Sequence, residues 1–141
     1  MELSNKTDHS VHKPVMLNET ISFLNIKPDG VYVDMTIGAG GHSKVIAEKL
    51  NENGHLVGID RDETILNYSR NALKSCKSKC SICHANFSEI LSILEKLEIK
   101  FIDGVLFDFG VSSYQIDNPE RGFSFLHEGP LDMRMNQKDV I

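Results

Sequence analysis

Apolar positions along this chain follow two periods, one of strands and one of helices. Residues 31–35 (VYVDM), 55–60 (HLVGID) and 102–107 (IDGVLF) are short, mostly apolar runs, the pattern of strands covered on both faces. Residues 81–84 fit a short third strand between the last two of these runs. Helical spacing fills the gaps. Asn18 is a plausible N-cap for residues 19–24, and residues 41–50 follow the first run directly. Asp62 is placed to cap a helix whose Ile65, Leu66, Ser69, Ala72 and Leu73 share a face. Phe87, Ile90, Leu91, Leu94 and Leu97 form a further stripe, with Asn86 or Ser88 near its cap. Strands alternating with helices predict about four parallel strands flanked by helices, a doubly wound, Rossmann-like α/β fold.

After residue 109 the periodicity stops. The chain divides into a lead-in at 1–11 expected to be disordered, a Rossmann-like domain at 12–109 and a loop-rich segment at 110–141. A length of 141 residues suits one domain with a real core. The formal net charge of −5 advertises no nucleic-acid surface, and no apolar run has the length of a membrane span. The first ten residues lack the apolar core of a signal peptide, and the three cysteines are odd in number and closely spaced. These features predict a cytoplasmic protein with no membrane partner.

The chemistry gathers where the first run meets its helix, in the stretch VYVDMTIGAGGH. Gly38, Gly40 and Gly41 let backbone N–H groups and a helix start approach a ligand closely. Asp34 adds a carboxylate at the mouth of that turn, which would repel a pyrophosphate and attract an ammonium. Asp60 lies twenty residues beyond Gly40, the distance at which an acid meets ribose hydroxyls. A dinucleotide would use Gly38, Gly40 and Asp60, but serine stands where its third glycine belongs. S-adenosylmethionine has no phosphate and carries two positive centres, so the electrostatics favour it. Phe87 is placed either as an apolar wall for adenine or in the core.

Further blocks then carry a resemblance. DMTIGAGGH (34–42), DRD (60–62), DFGVSS (108–113), PERGFS (119–124) and GPLDMRM (129–135) occur in order, after HKPV at 12–15. Together they resemble the ribosomal RNA small-subunit methyltransferase H (MraW) family over residues 11–136. The resemblance implies a class I S-adenosylmethionine-dependent methyltransferase fold, with the exocyclic N4 amine of a cytosine in small-subunit (16S) ribosomal RNA as acceptor. The partner it implies is that RNA within the small ribosomal subunit. It places cofactor contacts on Gly40, Gly41, His42, Asp60, Phe87, Asp108 and Gln115. Family members are longer, so the fold is expected in a truncated form without the later strands and the inserted helical domain.

Methyl transfer to an amine is an in-line displacement that needs alignment more than a strong acid or base. Asp108, at the end of the last strand, is the candidate catalytic carboxylate for orienting the cofactor or the amine. It is followed by Phe109 and Gly110, not by the two prolines many amine methyltransferases carry. Arg121 and Arg134 are candidates for RNA phosphates or for ion pairs, and Phe123 and Phe125 for burial under the loop. Alternative functions are a cofactor-binding fragment with no activity of its own and a nicotinamide-dependent Rossmann domain. Cys76, Cys80 and Cys83 have the spacing of a radical-enzyme iron–sulfur motif, but at a helix exit and a strand, not in a loop. No metal is expected. The last strand should lie beside the first and leave an open apolar edge, which predicts self-association.

Overall fold

The computed structural model describes residues 14–140; the expected lead-in at 1–11, with His12 and Lys13, lies outside the described residues. Four strands form one sheet: β1 (Val31–Asp34), β2 (His55–Asp60), β3 (Lys79–His84) and β4 (Gly104–Leu106). Their order is β3-β2-β1-β4, and every pairing is parallel. Helix α1 (Leu17–Leu24) precedes β1; α2 (Gly41–Lys49), α3 (Leu66–Leu73) and α4 (Ile90–Lys96) connect the strands, and α5 (Ser113–Asp117) follows β4. Single 3₁₀ turns stand at Phe87–Glu89 and Pro119–Arg121. Among the described residues no helix is long and apolar enough to cross a membrane.

The strands read as continuous apolar runs because both of their faces are covered. Side chains alternate across the pleat. Tyr32 and Leu56 pack with Ile46 and Leu66 of α2 and α3, and Ile21 and Leu24 of α1 close that side. Val33, Val57 and Ile59 face the opposite side, where Ile93 of α4 covers them. The register sets Val33 beside both Val57 and Val105, so β1 is the central strand of the site. The chain leaves β1 toward β2 on one side and reaches β4 on the other. The topological switch point therefore lies between β1 and β4, where parallel sheets bind ligands.

Local expectations need three corrections. Helix α1 starts from Met16 in the left-handed region (φ 52°), ahead of Asn18. Asp62 is not the cap of α3, whose N-cap is Ile65; its side chain instead holds the backbone N–H of Thr64 in the approach to the helix. Strand β4 is shorter than its apolar run: it spans only Gly104–Leu106, and Ile102 and Phe107 on either side of it stand partly in solvent. The cysteine spacing also dissolves in three dimensions. Cys76 and Cys80 pack on the α2–α3 side of the sheet, whereas Cys83, an odd number of residues along β3, packs on the α4 side. The expected cap at Asn86 is present: its side chain accepts from the Ser88 N–H, while Glu89 reaches back to the Asn86 N–H.

Candidate functional site

The turn after β1 is fastened to both neighbouring strands. Met35 N–H donates to the Leu106 carbonyl at 2.9 Å, and Ile37 N–H to the Ile59 carbonyl at 3.0 Å. Gly38 and Gly40 have φ angles of +51° and +91°, a region that a side chain disfavours. Gly40 also passes so close to α3 that a Cβ there would stand 3.2 Å from the Ser69 Cα. At Gly38 the outer side is open, with nothing nearer to such a Cβ than the Thr36 carbonyl at 3.9 Å. A Cβ on Gly41 would run into the Pro14 ring. The turn thus offers backbone to solvent at Gly38 and packs tightly at Gly40 and Gly41.

Asp34 lies beneath this turn, not at its mouth. It is 1% exposed, and its two oxygens accept from the Thr36 N–H at 3.1 Å and the Ser43 hydroxyl at 2.7 Å. Burial pushes its pKa up, against the pull of those two bonds. The expected free carboxylate for an ammonium is therefore a brace joining β1, the turn and α2.

Asp60 fills the role of the accessible acid. Its Oδ2 accepts from Gly38 N–H at 2.8 Å and its Oδ1 from Asp62 N–H at 2.9 Å. Burial raises its pKa, and the bonds from Asp62 and Gly38 oppose that rise. On the other side of β1, Asp108 is half exposed, and its backbone N–H donates to Thr36 Oγ1 at 2.7 Å. Its carboxylate stands 3.8 Å from His42 Nδ1. His42 Nε2 lies 3.0 Å from the Val15 carbonyl, which can only accept, so that nitrogen carries the proton and Nδ1 faces Asp108. Gly38, Asp60, His42 and Asp108 are thus gathered at the carboxyl ends of β1, β2 and β4.

Phe87 sits in an aromatic cluster with Phe107 and Phe109, its ring centroid 6.2 Å and 5.8 Å from theirs. Phe109 is largely exposed, so the cluster presents an apolar wall at the β4 end. Gln115 is buried on α5 and does not join Asp60 directly. Its Nε2 donates to Asp62 Oδ2 at 2.9 Å, and Asp62 in turn holds Asp60. A cleft of about 160 Å³ opens beside these groups, between Arg61, His84, Asn86 and Asp139.

Two residues gain roles that sequence reasoning had left open or missed. Arg121 is buried, with Nη2 2.9 Å from Asp62 Oδ2. Burial alone would raise the Asp62 pKa, but bonds from Thr64, Gln115 and Arg121 outweigh it and hold the carboxyl below its ordinary value. Arg134 makes a two-point pair with Asp132, so both arginines are ion-pair residues within this chain. Phe123 lies under the Arg121 guanidinium at 5.9 Å, whereas Phe125 is fully exposed, contrary to the expectation of burial.

The fold is similar to that of a candidate rRNA methylase from Clostridium thermocellum, at 17% identity and a TM-score of 0.54 over 67% of this chain and 51% of that one. It is similar also to a candidate protein-L-isoaspartate O-methyltransferase from Plasmodium falciparum, crystallised with S-adenosyl-L-homocysteine. There the identity is 22% and the TM-score 0.55, over 74% of this chain and 52% of that one. The chain spans about half the length of both structures. The architecture is accordingly the Rossmann-like fold of S-adenosylmethionine-dependent methyltransferases. The sequence profile of the MraW methylase family matches residues 9–141, essentially the whole chain, and the chain belongs to that family.

Proposed function

We propose that this chain carries the cofactor site of an S-adenosylmethionine-dependent methyltransferase acting on the exocyclic N4 amine of a cytosine in small-subunit (16S) ribosomal RNA, in the cytoplasm. One observation carries the choice of cofactor. The Gly38 N–H, which a pyrophosphate would need, already donates to the Asp60 carboxylate at 2.8 Å. Asp60 and Asp108 make this end of the sheet anionic, which suits a sulfonium and an ammonium and repels a dinucleotide's phosphates. Family membership supports the same reading.

When bound, S-adenosylmethionine supplies a methyl group already activated by its sulfonium. The protein's part is therefore alignment. Asp60, at the end of β2, is the acid placed for the ribose hydroxyls, and the open face at Gly38 allows close approach. Phe87 and Phe109 offer an apolar wall to a base. Asp108 is exposed enough to accept an N–H of the target amine, orient its nitrogen and receive the proton it sheds. A cytosine must be unstacked to present that amine, which favours an irregular RNA region.

A second reading is favoured by the chain spanning half of its structural neighbours: cofactor binding without transfer. Calorimetric titration of S-adenosylmethionine and, separately, NAD, with Asp60→Ala as control, tests the site. We expect the first alone to bind, and the variant to lose it. Transfer of labelled methyl to small ribosomal subunits then separates enzyme from binding fragment. Binding of NAD alone would overturn the methyltransferase reading.

A further inference from the structure

We propose that Arg70, Lys74 and Lys77, at the end of α3 and beside the outer edge of β3, form a contact surface for the sugar–phosphate backbone of RNA, away from the cofactor end of the sheet. The inference rests on the RNA reading above and deepens it by naming where the backbone is held.

Charge is spread unevenly along the chain. Residues 64–88 contain no aspartate or glutamate but carry Arg70, Lys74, Lys77 and Lys79, in a protein whose net charge is −5. All four are exposed. Elsewhere among the described residues the cations are answered within the protein. Lys27, Arg61, Arg121, Arg134 and Lys138 each stand in a carboxylate pair. Lys44, Lys49, Lys96 and Lys100 each have a glutamate within four residues. The cluster at 70–79 has neither. Among the described residues Arg70 donates only to Asn67 Oδ1, at 3.3 Å, and Glu63, an acid its charge reaches, is already paired with Lys138.

The fold makes a surface of this run. Arg70 and Lys74 are four residues apart on one helix face, about 6 Å along its axis, so they can meet neighbouring phosphates of one strand. They line a groove of about 290 Å³ with Leu73, Cys80 and Ile82. β3 is the outermost strand, so the groove runs beside an edge that no strand covers among the described residues. Lys77 stands in the link from α3 to β3, and Lys79 opens β3.

Electrostatics favour a surface placed off the site. Asp60 and Asp108 make the cofactor end anionic, which repels the phosphates on either side of a target base. Exposed cations with no carboxylate partner take up phosphate without breaking an ion pair, and counterions released from the RNA drive the contact. Such contacts position RNA and do not read its sequence. Lysine on an edge strand also keeps the edge from pairing with another copy. That use explains Lys79 but not Arg70 and Lys74, which stand on the helix or at its end.

Fluorescence anisotropy of the full chain with a labelled single-stranded uridine oligonucleotide, at several salt concentrations, tests this. We expect Arg70→Gln/Lys74→Gln/Lys77→Gln to bind roughly tenfold more weakly at low salt. The slope of log affinity against log salt should become shallower by about two, from three phosphate contacts at about 0.7 each. A control, Lys49→Gln/Lys96→Gln/Lys100→Gln, changes the net charge equally and should stay close to wild type. Equal losses in both variants would mean that net charge alone matters, and overturn the surface. An unmodified chain that ignores the oligonucleotide overturns it too. A preference for poly-glutamate over RNA would assign the groove to an acidic protein instead. Calorimetry with S-adenosylmethionine separates the surface from the reading beneath it. The Arg70/Lys74/Lys77 variant should keep its cofactor affinity, and a matching loss would mean that the substitutions act through the fold. Cofactor binding without RNA binding overturns the surface alone; RNA binding by a chain that takes NAD in place of S-adenosylmethionine overturns the methyltransferase reading alone.

Discussion

Around β1 and β2 the sheet is sealed on both faces: Leu56, Ile59 and Leu66 are all at 0% exposure, and no charged side chain takes part in either apolar cluster. Beyond β1 the picture changes. Val105 on β4 and Phe107 just after it are 43% and 44% exposed, and Phe109, Phe125 and Leu131 stand largely in solvent. What holds this second region is polar. Three consecutive residues of the β2–α3 loop, Arg61, Asp62 and Glu63, pair with Asp139, Arg121 and Lys138 of the C-terminal segment. The first region is stabilised by apolar area removed from water, the second by a few directional contacts onto the first. Directional contacts fix geometry over a small area, which suits a segment that must sit against a bound ligand.

The largest expected effect falls in the sealed region. Leu56→Ala removes a side chain packed between β1, β3 and the α2–α3 layer, and should cost about 2–5 kcal/mol in urea unfolding. The loss should appear over the whole cooperative transition. If the two regions differ as described, hydrogen exchange in 119–139 would rise no more than it does elsewhere. A selective loosening of that segment alone would break the distinction.

Asp62→Ala attacks the polar region and should cost less, about 1.5–3 kcal/mol, because the segment can detach instead of leaving Arg121 buried without its partner. Its pH dependence has a definite sign. Asp62 is held below the ordinary carboxylate range, so it stabilises the native state above its unfolded pKa of about 3.9. That stability is lost as pH falls through the depressed native value. Asp34 and Asp60 have raised values, so their ionisation costs the native state. That cost is absent below their unfolded pKa and complete above the raised one. The gap in stability between wild type and Asp62→Ala should therefore be widest near neutral pH and close in strong acid. A gap that stayed constant with pH would mean that the carboxylate's charge contributes nothing.

The sealed region was also the legible one. β1 and β2 could be read because a strand covered on both faces has no polar alternation to hide it, and each ends on an acid that the parallel topology carries to one edge. The ends of elements were less legible: β4 covers only Gly104–Leu106, and no pattern within residues 102–107 marks where its pairing with β1 begins and stops. In the site, Asp60 could be set near the glycine turn from its distance beyond Gly40, and the structure joins it to Gly38 by one hydrogen bond. Asp34 could not be placed above or below its turn, because its partner Ser43 lies on the next helix and carries no signal of direction. Arg121 had still less to mark it. Its partners Asp62 and Thr64 are more than fifty residues away, and an arginine bound for burial looks in sequence like one bound for solvent.

The smallest change in stability should come at the seam between the regions. β4 pairs with β1 on one side only, and among the described residues nothing pairs with its other edge. Backbone groups on an open edge, flanked by Val105 and by the stacked rings of Phe107 and Phe109 at 5.3 Å, form a template for a second copy. We therefore expect the mass measured by light scattering to rise with concentration. Val105→Lys should suppress that rise while changing unfolding stability by no more than about 0.5 kcal/mol, because the side chain is already near half exposed. The charge would lie at the edge without touching the sealed core, so association and stability should separate in this variant. A wild-type chain that remains a monomer at high concentration would count against the open edge as a docking surface. Equal loss of association and stability would mean instead that β4 belongs to the sealed region, and that the boundary lies further along the chain.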